Sequence, residues 1–175
     1  ADLISDRQTV CVGGAGAGHA VPDTVLKAIG ARFKQQGSPR NLTVIHPCGI
    51  GDNDQRGLNH LAIEGLVEKD IGGFWGNAPQ MVQLAQQEKI QGYNLPQGVL
   101  AHLLRATAGG EKGHLTKTGL HTFVDPRYEG GRINAKTTED IVELVKIGQE
   151  EFLFYHSHPV DVAIIRGTSI DVEGN

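Results

Sequence analysis

Short apolar runs alternate along this chain with stretches whose apolar residues recur every three to four positions. Val10-Cys11-Val12 and Leu42 to Ile45 ("LTVI") are apolar throughout, the pattern of strands covered on both faces. Between them Val25, Leu26, Ile29 and Phe33 fall on one helical face, closed by Gly37. "DIGGFWG", residues 70–76, predicts a weaker third strand. "NAPQMVQLAQQ" predicts a helix with Asn77 as N-cap and Pro79 in its first turn. "KIQGYNLP" reads as a strand ending at Pro96, and a helix follows from about Gln97 to Gly109-Gly110. A glycine-rich, charged stretch covers residues 109–137. Beyond it "DIVELVKI", "EFLFYH" and "VDVAIIRGT" are each apolar enough for a strand, whereas the opening "ADLISD" reads as the tail of an amphipathic helix.

Strands alternating with helices predict an α/β fold, a layered, open and mainly parallel sheet flanked by helices. In such sheets ligands bind beyond the carboxyl ends of the strands. That rule singles out residues 13–22, 46–57, 94–98 and 121–132, the loops richest in Gly, Pro and unusual polar residues. The chain has 175 residues and 24 glycines, about twice the usual ~7%, with no collagen-like period, so glycine serves many separate turns. A net charge of −4 gives no sign of a nucleic-acid partner. No apolar stretch approaches the ~20 residues that span a bilayer. Two cysteines, Cys11 and Cys48, make neither a disulfide framework nor a zinc site and fit a reducing compartment. No signal-peptide pattern opens the sequence.

Residues 13–18 invite a phosphate reading, because glycine lets backbone approach a ligand closely. The chemical residues do not follow. A G-x-G-x-x-G fingerprint starting at Gly14 meets His19 in sixth place, and a P-loop would need Lys-Ser where His19-Ala20 stand. A tight strand-to-helix turn is the alternative. "YNLPQG" sets Gln97 in the first turn of a helix at a strand end. Its amide NH₂ there adds two donors to the unpaired N–H groups of the helix start, a cluster suited to an oxyanion. A capping or solvated Gln97 is the plainer reading. His156 and His158 form a two-histidine pattern without a third metal ligand. Cys48 has no assignable base, and Cys11 belongs in the core. Glu129 and Glu173 each precede Gly in a turn, where solvated acids are common.

Taken together, the ordered segments "VCVGGAGAGHAVP", "PRNLTVIHPCGIGD", "GYNLPQGVL", "TFVDPRYEGGRIN" and "VDVAIIRGTSIDVEGN" resemble family I CoA transferases. The resemblance covers nearly the whole chain, but only the amino-terminal half of that family's catalytic unit. It implies that residues 1–175 are the amino-terminal, alpha-subunit-like domain, cut at both ends, with the catalytic second domain outside this chain. It implies ping-pong transfer of CoA between a short-chain acyl-CoA and a carboxylic acid. A glutamate of the second half attacks the thioester, and a glutamyl-CoA thioester follows. Neither Glu129 nor Glu173 is carried over as that nucleophile. Gln97 matches the family's oxyanion glutamine. Gly14, Ala15, Gly16, Ala17, Gly18, Gly49, Gly51, Asn94, Pro96, Phe123 and Val124 are the expected substrate-binding residues. Ala15 stands where the 3-oxoacid branch has Phe, which favours the acetate/propionate-like branch. The expected partners are acyl-CoA, a short carboxylic acid and the second domain or beta subunit in an oligomer, with no nucleic acid and no membrane. No cofactor or metal is expected, coenzyme A being a substrate. The expected compartment is the cytoplasm, with the mitochondrial matrix as alternative. A reading from another class is a non-catalytic sensor domain of related fold for a sugar-phosphate-like ligand. It calls for clustered Lys and Arg around the site, which the sequence does not show.

Overall fold

The computed structural model describes residues 1–15 and 19–174. Among the described residues eight strands and three α-helices follow in the order β1 (Thr9–Val12), α1 (Asp23–Gln36), β2 (Leu42–His46), β3 (Val67–Gly72), α2 (Pro79–Gln86), β4 (Gln91–Asn94), α3 (Gln97–Ala108), β5 (Gly113–Thr116), β6 (Val142–Ile147), β7 (Glu150–His156) and β8 (Val162–Ile164). A five-stranded sheet has the order β4-β3-β2-β1-β8, and every pairing in it is parallel. All its carboxyl ends therefore lie along one edge.

Successive strand residues point to opposite faces, and the sheet divides two cores accordingly. Val44 joins Val10, Val12, Leu42, Leu26 and Ile29 of α1 and Met81 and Ala85 of α2 in one core. Ile45 joins Ile71, Tyr93 and the α3 residues Val99, Leu100 and Leu103 in the other. Helix α1 stops where expected. Gly37 takes a left-handed φ of 67° and its N–H donates to the Phe33 carbonyl at 2.8 Å.

Five expectations change. β3 begins three residues earlier than predicted, at Val67, and leaves the sheet at Gly72, because residues 73–76 turn away to bring Trp75 under β4. There the indole N–H donates to the Tyr93 carbonyl at 3.0 Å. Asn77 does not cap α2; the cap position is Ala78, and the Asn77 amide donates instead to Asn53. β6 and β7 do not extend the parallel sheet. They form an antiparallel sheet, β5-β7-β6, with a strand from the glycine-rich stretch that periodicity did not reveal. Their apolar residues Val142, Leu153 and Tyr155 pack on the α3 side. Finally, residues 2–7 make turns rather than a helix end, and β8 shrinks to three residues.

The contact between α1 and the 3₁₀ turn at Leu58–Leu61 tests how tightly these layers meet. A Cβ on Gly30 would lie 2.2 Å from the His60 carbonyl oxygen. Alanine gains about 1 kcal/mol of helix propensity over glycine. Overpacking against backbone costs about 1–3 kcal/mol, and more where the neighbour is fixed. Packing should win, so Gly30→Ala is expected to lower the melting temperature. An unchanged or raised midpoint would show that the 3₁₀ turn yields.

Candidate active site

The carboxyl edge is laced by backbone hydrogen bonds. Gly73 N–H donates to the His46 carbonyl at 2.9 Å, tying the end of β3 to the end of β2. Leu95 N–H donates to the Gly72 carbonyl at 3.0 Å, tying the start of the β4–α3 loop to β3. Asn94 N–H donates to Gly131 at 2.8 Å, and Gly131 N–H donates to Phe123 at 3.2 Å. The loops at 46–51, 94–98 and 121–132 thus meet at one end of the sheet, as the strand-end rule predicts. Residues 13–15 join them through Gly14, whose Cβ position lies 3.1 Å from the Ile50 side chain.

Gln97 opens α3. Its cap position, Pro96, has φ −58° and ψ 132°, and no side chain caps the helix. Gln97 is exposed, and its amide has no hydrogen-bond partner among the described residues. Its Cγ lies 2.8 Å from where a Cβ on Gly73 would sit, so the side chain folds over that glycine. A Cβ on Gly98 would meet nothing within 4 Å. Free amide donors, uncapped helix N–H groups and open space above them are what an anion developing at that point requires.

The other expected residues divide. Gly49 and Gly51 are buried, and Cβ atoms there would lie 2.1 Å from the Asn77 Oδ1 and 2.0 Å from the Asn77 carbonyl. Gly14 has φ 146° and its Cβ position lies 2.5 Å from the Ala20 carbonyl. These three glycines are required by the chain's own packing, against backbone at Gly14 and Gly51 and against the Asn77 and Phe74 side chains at Gly49. Ala15 and Phe123 are exposed, Asn94 and Pro96 half-buried, and Val124 is buried in the α3 core. Gly16, Ala17 and Gly18 lie outside the described residues. Asn94 also lines a cavity of about 230 Å³ with Trp75, Val82, Ala85, Gln86 and Ile133. Glu129 and Glu173 are both exposed turn residues. His156 contacts Glu143 at 2.6 Å, and no group of three or more His, Cys, Asp or Glu able to hold a metal occurs among the described residues.

The 121–132 loop is built on Asp125, whose side chain is fully buried. Its carboxylate accepts the N–H of His121, the N–H of Arg127 and both Nε and Nη2 of the Arg127 guanidinium, at 2.7–3.0 Å. Arg127 also reaches Glu151 of β7 at 3.0 Å. The Arg127 hydrogen bonds outweigh burial and hold the Asp125 carboxyl well below its ordinary range. Sequence reasoning missed this role, as it missed a buried contact between His46 and Asp70 at the ends of β2 and β3. His46 closes the apolar run Leu42 to Ile45, but Asp70 sits in "VEKDIG" and Asp125 in "TFVDPR", where charged neighbours hide a buried carboxylate.

Comparison with known proteins places the family. The Coenzyme A transferase family model matches residues 1–175. The chain is 47% identical over 176 residues to caffeate CoA-transferase of Acetobacterium woodii, covering 100% of this chain and 33% of that protein. It is 45% identical over 173 residues to acetate CoA-transferase YdiF of Escherichia coli K12, covering 99% and 33%. The structure of the YdiF apoenzyme from Escherichia coli O157:H7 superposes with a TM-score of 0.95 at 44% identity, over 98% of this chain and 33% of that one. The chain belongs to the Coenzyme A transferase family, and it spans about a third of the length of these relatives.

Asp125→Asn tests the loop. A carboxyl whose folded pKa is depressed contributes stability above its unfolded value of about 3.9, and loses it as pH falls through the folded value. At pH 7 the substitution should cost about 1.5–3 kcal/mol, the range for hydrogen bonds to a charged group. The difference in melting temperature from wild type should narrow as pH is taken below about 4. Equal melting of the two proteins at pH 7 would contradict this account of the loop.

Proposed function

We propose that this chain is the amino-terminal part of an acyl-CoA:carboxylate CoA-transferase acting on short-chain acids. The observation that carries the reading is the unpartnered Gln97 amide, folded over Gly73 beside the uncapped start of α3. Thioester exchange develops negative charge on the carbonyl oxygen as a carboxylate attacks. Donors aimed at that point lower the barrier because they meet the charge only in the transition state. The Gln97 NH₂ and the first N–H groups of α3 are those donors.

The attacking glutamate belongs to the part of the enzyme beyond this chain, as a further domain of one polypeptide or as a separate subunit. Relatives about three times as long as this chain support the single polypeptide. Coenzyme A is a substrate, and no cofactor takes part. Ala15, Phe123 and Asn94 border the space left for acyl group and acid. Relatives of similar identity are named for acetate and for caffeate, so proteins this similar over this region differ in the acid they are named for. The compartment proposed is the cytoplasm; no helix among the described residues is long and apolar enough to cross a membrane. Neither the structure nor the relatives support the sensor reading.

In the full-length enzyme Gln97→Ala should lower kcat by about 10²–10³, with little change in KM for acyl-CoA. Gln97→Glu should be at least as damaging, since it sets a carboxylate beside a developing anion. Neither should shift the melting temperature, because Gln97 is exposed and outside the apolar stripe of α3. Steady-state kinetics with thermal melting decide it, and turnover by Gln97→Ala within a few-fold of wild type would return Gln97 to a plain helix-start role. Residues 1–175 alone should exchange no thioester, which a radiolabel or mass assay of the isolated chain checks.

A further inference from the structure

Beneath the loop that carries Cys48 lies a contact with no role in the reading above. His46 ends β2 and Asp70 sits in β3, with side chains 1% and 0% exposed. The strand register sets Asp70 opposite Val44 and Gly72 opposite His46, so the imidazole reaches diagonally across a position without a side chain. A Cβ on Gly72 would lie 2.4 Å from His46 Nε2. Nε2 stands 3.1 Å from Asp70 Oδ1, but off the line of a hydrogen bond, and neither Asp70 oxygen has another partner among the described residues. A buried ion pair of this kind does not repay its desolvation by geometry alone, so it calls for a function.

The other ring nitrogen fixes the proton count. Nδ1 lies 2.8 Å from the Cys48 carbonyl, which can only accept, so Nδ1 carries a hydrogen. If Nε2 carried none, its lone pair would face a buried carboxylate. Burial opposes charge on the ring, but Asp70 and the Cys48 carbonyl outweigh it and hold the imidazole pKa above its ordinary value. The ring's neighbours are Asp70 and Gly72 from β3, the Cys48 carbonyl from the loop and the Trp75 indole from the turn before α2. Of these groups only Asp70 carries charge, and the Cys48 thiol is the other titratable group in that loop. Lys69, next to Asp70, projects from the opposite face of the sheet to Glu139.

We propose that His46 and Asp70 are positioning residues, a buried imidazolium–carboxylate contact that holds the 47–51 loop and, through it, the Gln97 amide. The path is short. His46 holds the Cys48 carbonyl, and the Pro47 carbonyl lies 2.1 Å from the Cβ position of Gly73. Gly73 in turn donates to the His46 carbonyl and bears the Gln97 side chain. Loss of the Nε2 proton leaves a lone pair facing the Asp70 carboxylate, and this repulsion turns the ring, strains its Nδ1–H bond to Cys48 and shifts the surface on which Gln97 rests. The proposal rests on the transferase reading for Gln97 but not for the pair itself.

The test uses the full-length enzyme and Asp70→Asn, which keeps the shape and lets an amide N–H meet Nε2 of a neutral ring. A group whose pKa is raised by folding contributes stability below its unfolded value of about 6.5, lost as pH rises through the folded value. Wild type should therefore lose both melting temperature and kcat along one alkaline limb, and Asp70→Asn should lose that limb in both while keeping kcat near pH 6 within a few-fold. Asp70→Ala should lower kcat by about 10–100-fold at unchanged KM, the range for a displaced catalytic group. If Asp70→Asn kept the wild-type limb, or Asp70→Ala melted lower with full kcat, the proposal would be overturned. Should Asp70→Ala fail to fold, Asp70→Asn decides alone. Absence of CoA transfer in wild type would sink the proposed function, while the melting series would still decide the pair.

Discussion

No side chain fits at two consecutive positions where β3 leaves the parallel sheet. At Gly72 the obstacle is the His46 ring, and at Gly73 the Pro47 carbonyl. That double exclusion lets the ends of β2 and β3 come together more closely than side chains allow. It makes room for a histidine across the strand pair and provides a bare patch of backbone for Gln97. The β4–α3 loop is tied to this seam by the Leu95 N–H, the loop after β2 by the His46 ring, and the 121–132 loop to the neighbouring Asn94. An edge built this way has few independent ways to move, which is the condition a pre-organised donor set has to meet.

The sheet was legible in the sequence because its strands are buried on both faces. Runs such as Val10-Cys11-Val12 and "LTVI" have no competing helical reading at that length. The antiparallel sheet was legible only in part. β6 and β7 show apolar runs, but β5 is "GHLT", half-exposed and inside a glycine-rich stretch. Nothing local distinguishes its pairing with β7 from a loop, since pairing is a long-range contact. For the same reason sequence alone did not separate two sheets from one. Asn77 failed as a cap for a tertiary reason: its side chain bonds the 46–57 loop and its backbone fills the space left by Gly51.

Glycine carries the sharper lesson about the site. Its abundance in the edge loops reads naturally as room for a ligand, yet the space at Gly14 and Gly51 is filled by the chain's own backbone and that at Gly49 by the Asn77 and Phe74 side chains. The glycine that does leave space is Gly98, which periodicity marks only as the second residue of a helix. Close approach is a property of pairs of segments, so a sequence can show that backbone meets something but not what it meets. Gln97 was legible because its argument needed only local geometry: a strand end, a proline and a helix start. His46 and Asp70 were overlooked because each, alone, looks like a strand-end polar residue, and their meaning comes from the register that sets them diagonally across β2 and β3.

The exposure of Gln97 adds a last constraint. In water an amide's donors are already satisfied by solvent, and the interaction of charges is weak at high dielectric. In the proposed transferase reading, the Gln97 amide exerts its full effect on a developing oxyanion only when solvent is displaced from the space above Gly98. What the described residues supply is position: a donor held over Gly73, on a seam fixed by buried polar contacts. The exclusion of water has to come from the bound thioester and from whatever closes over it. This division explains why rigidity is concentrated beneath the edge, at His46, Asp70 and Asp125, while the donor itself stands open.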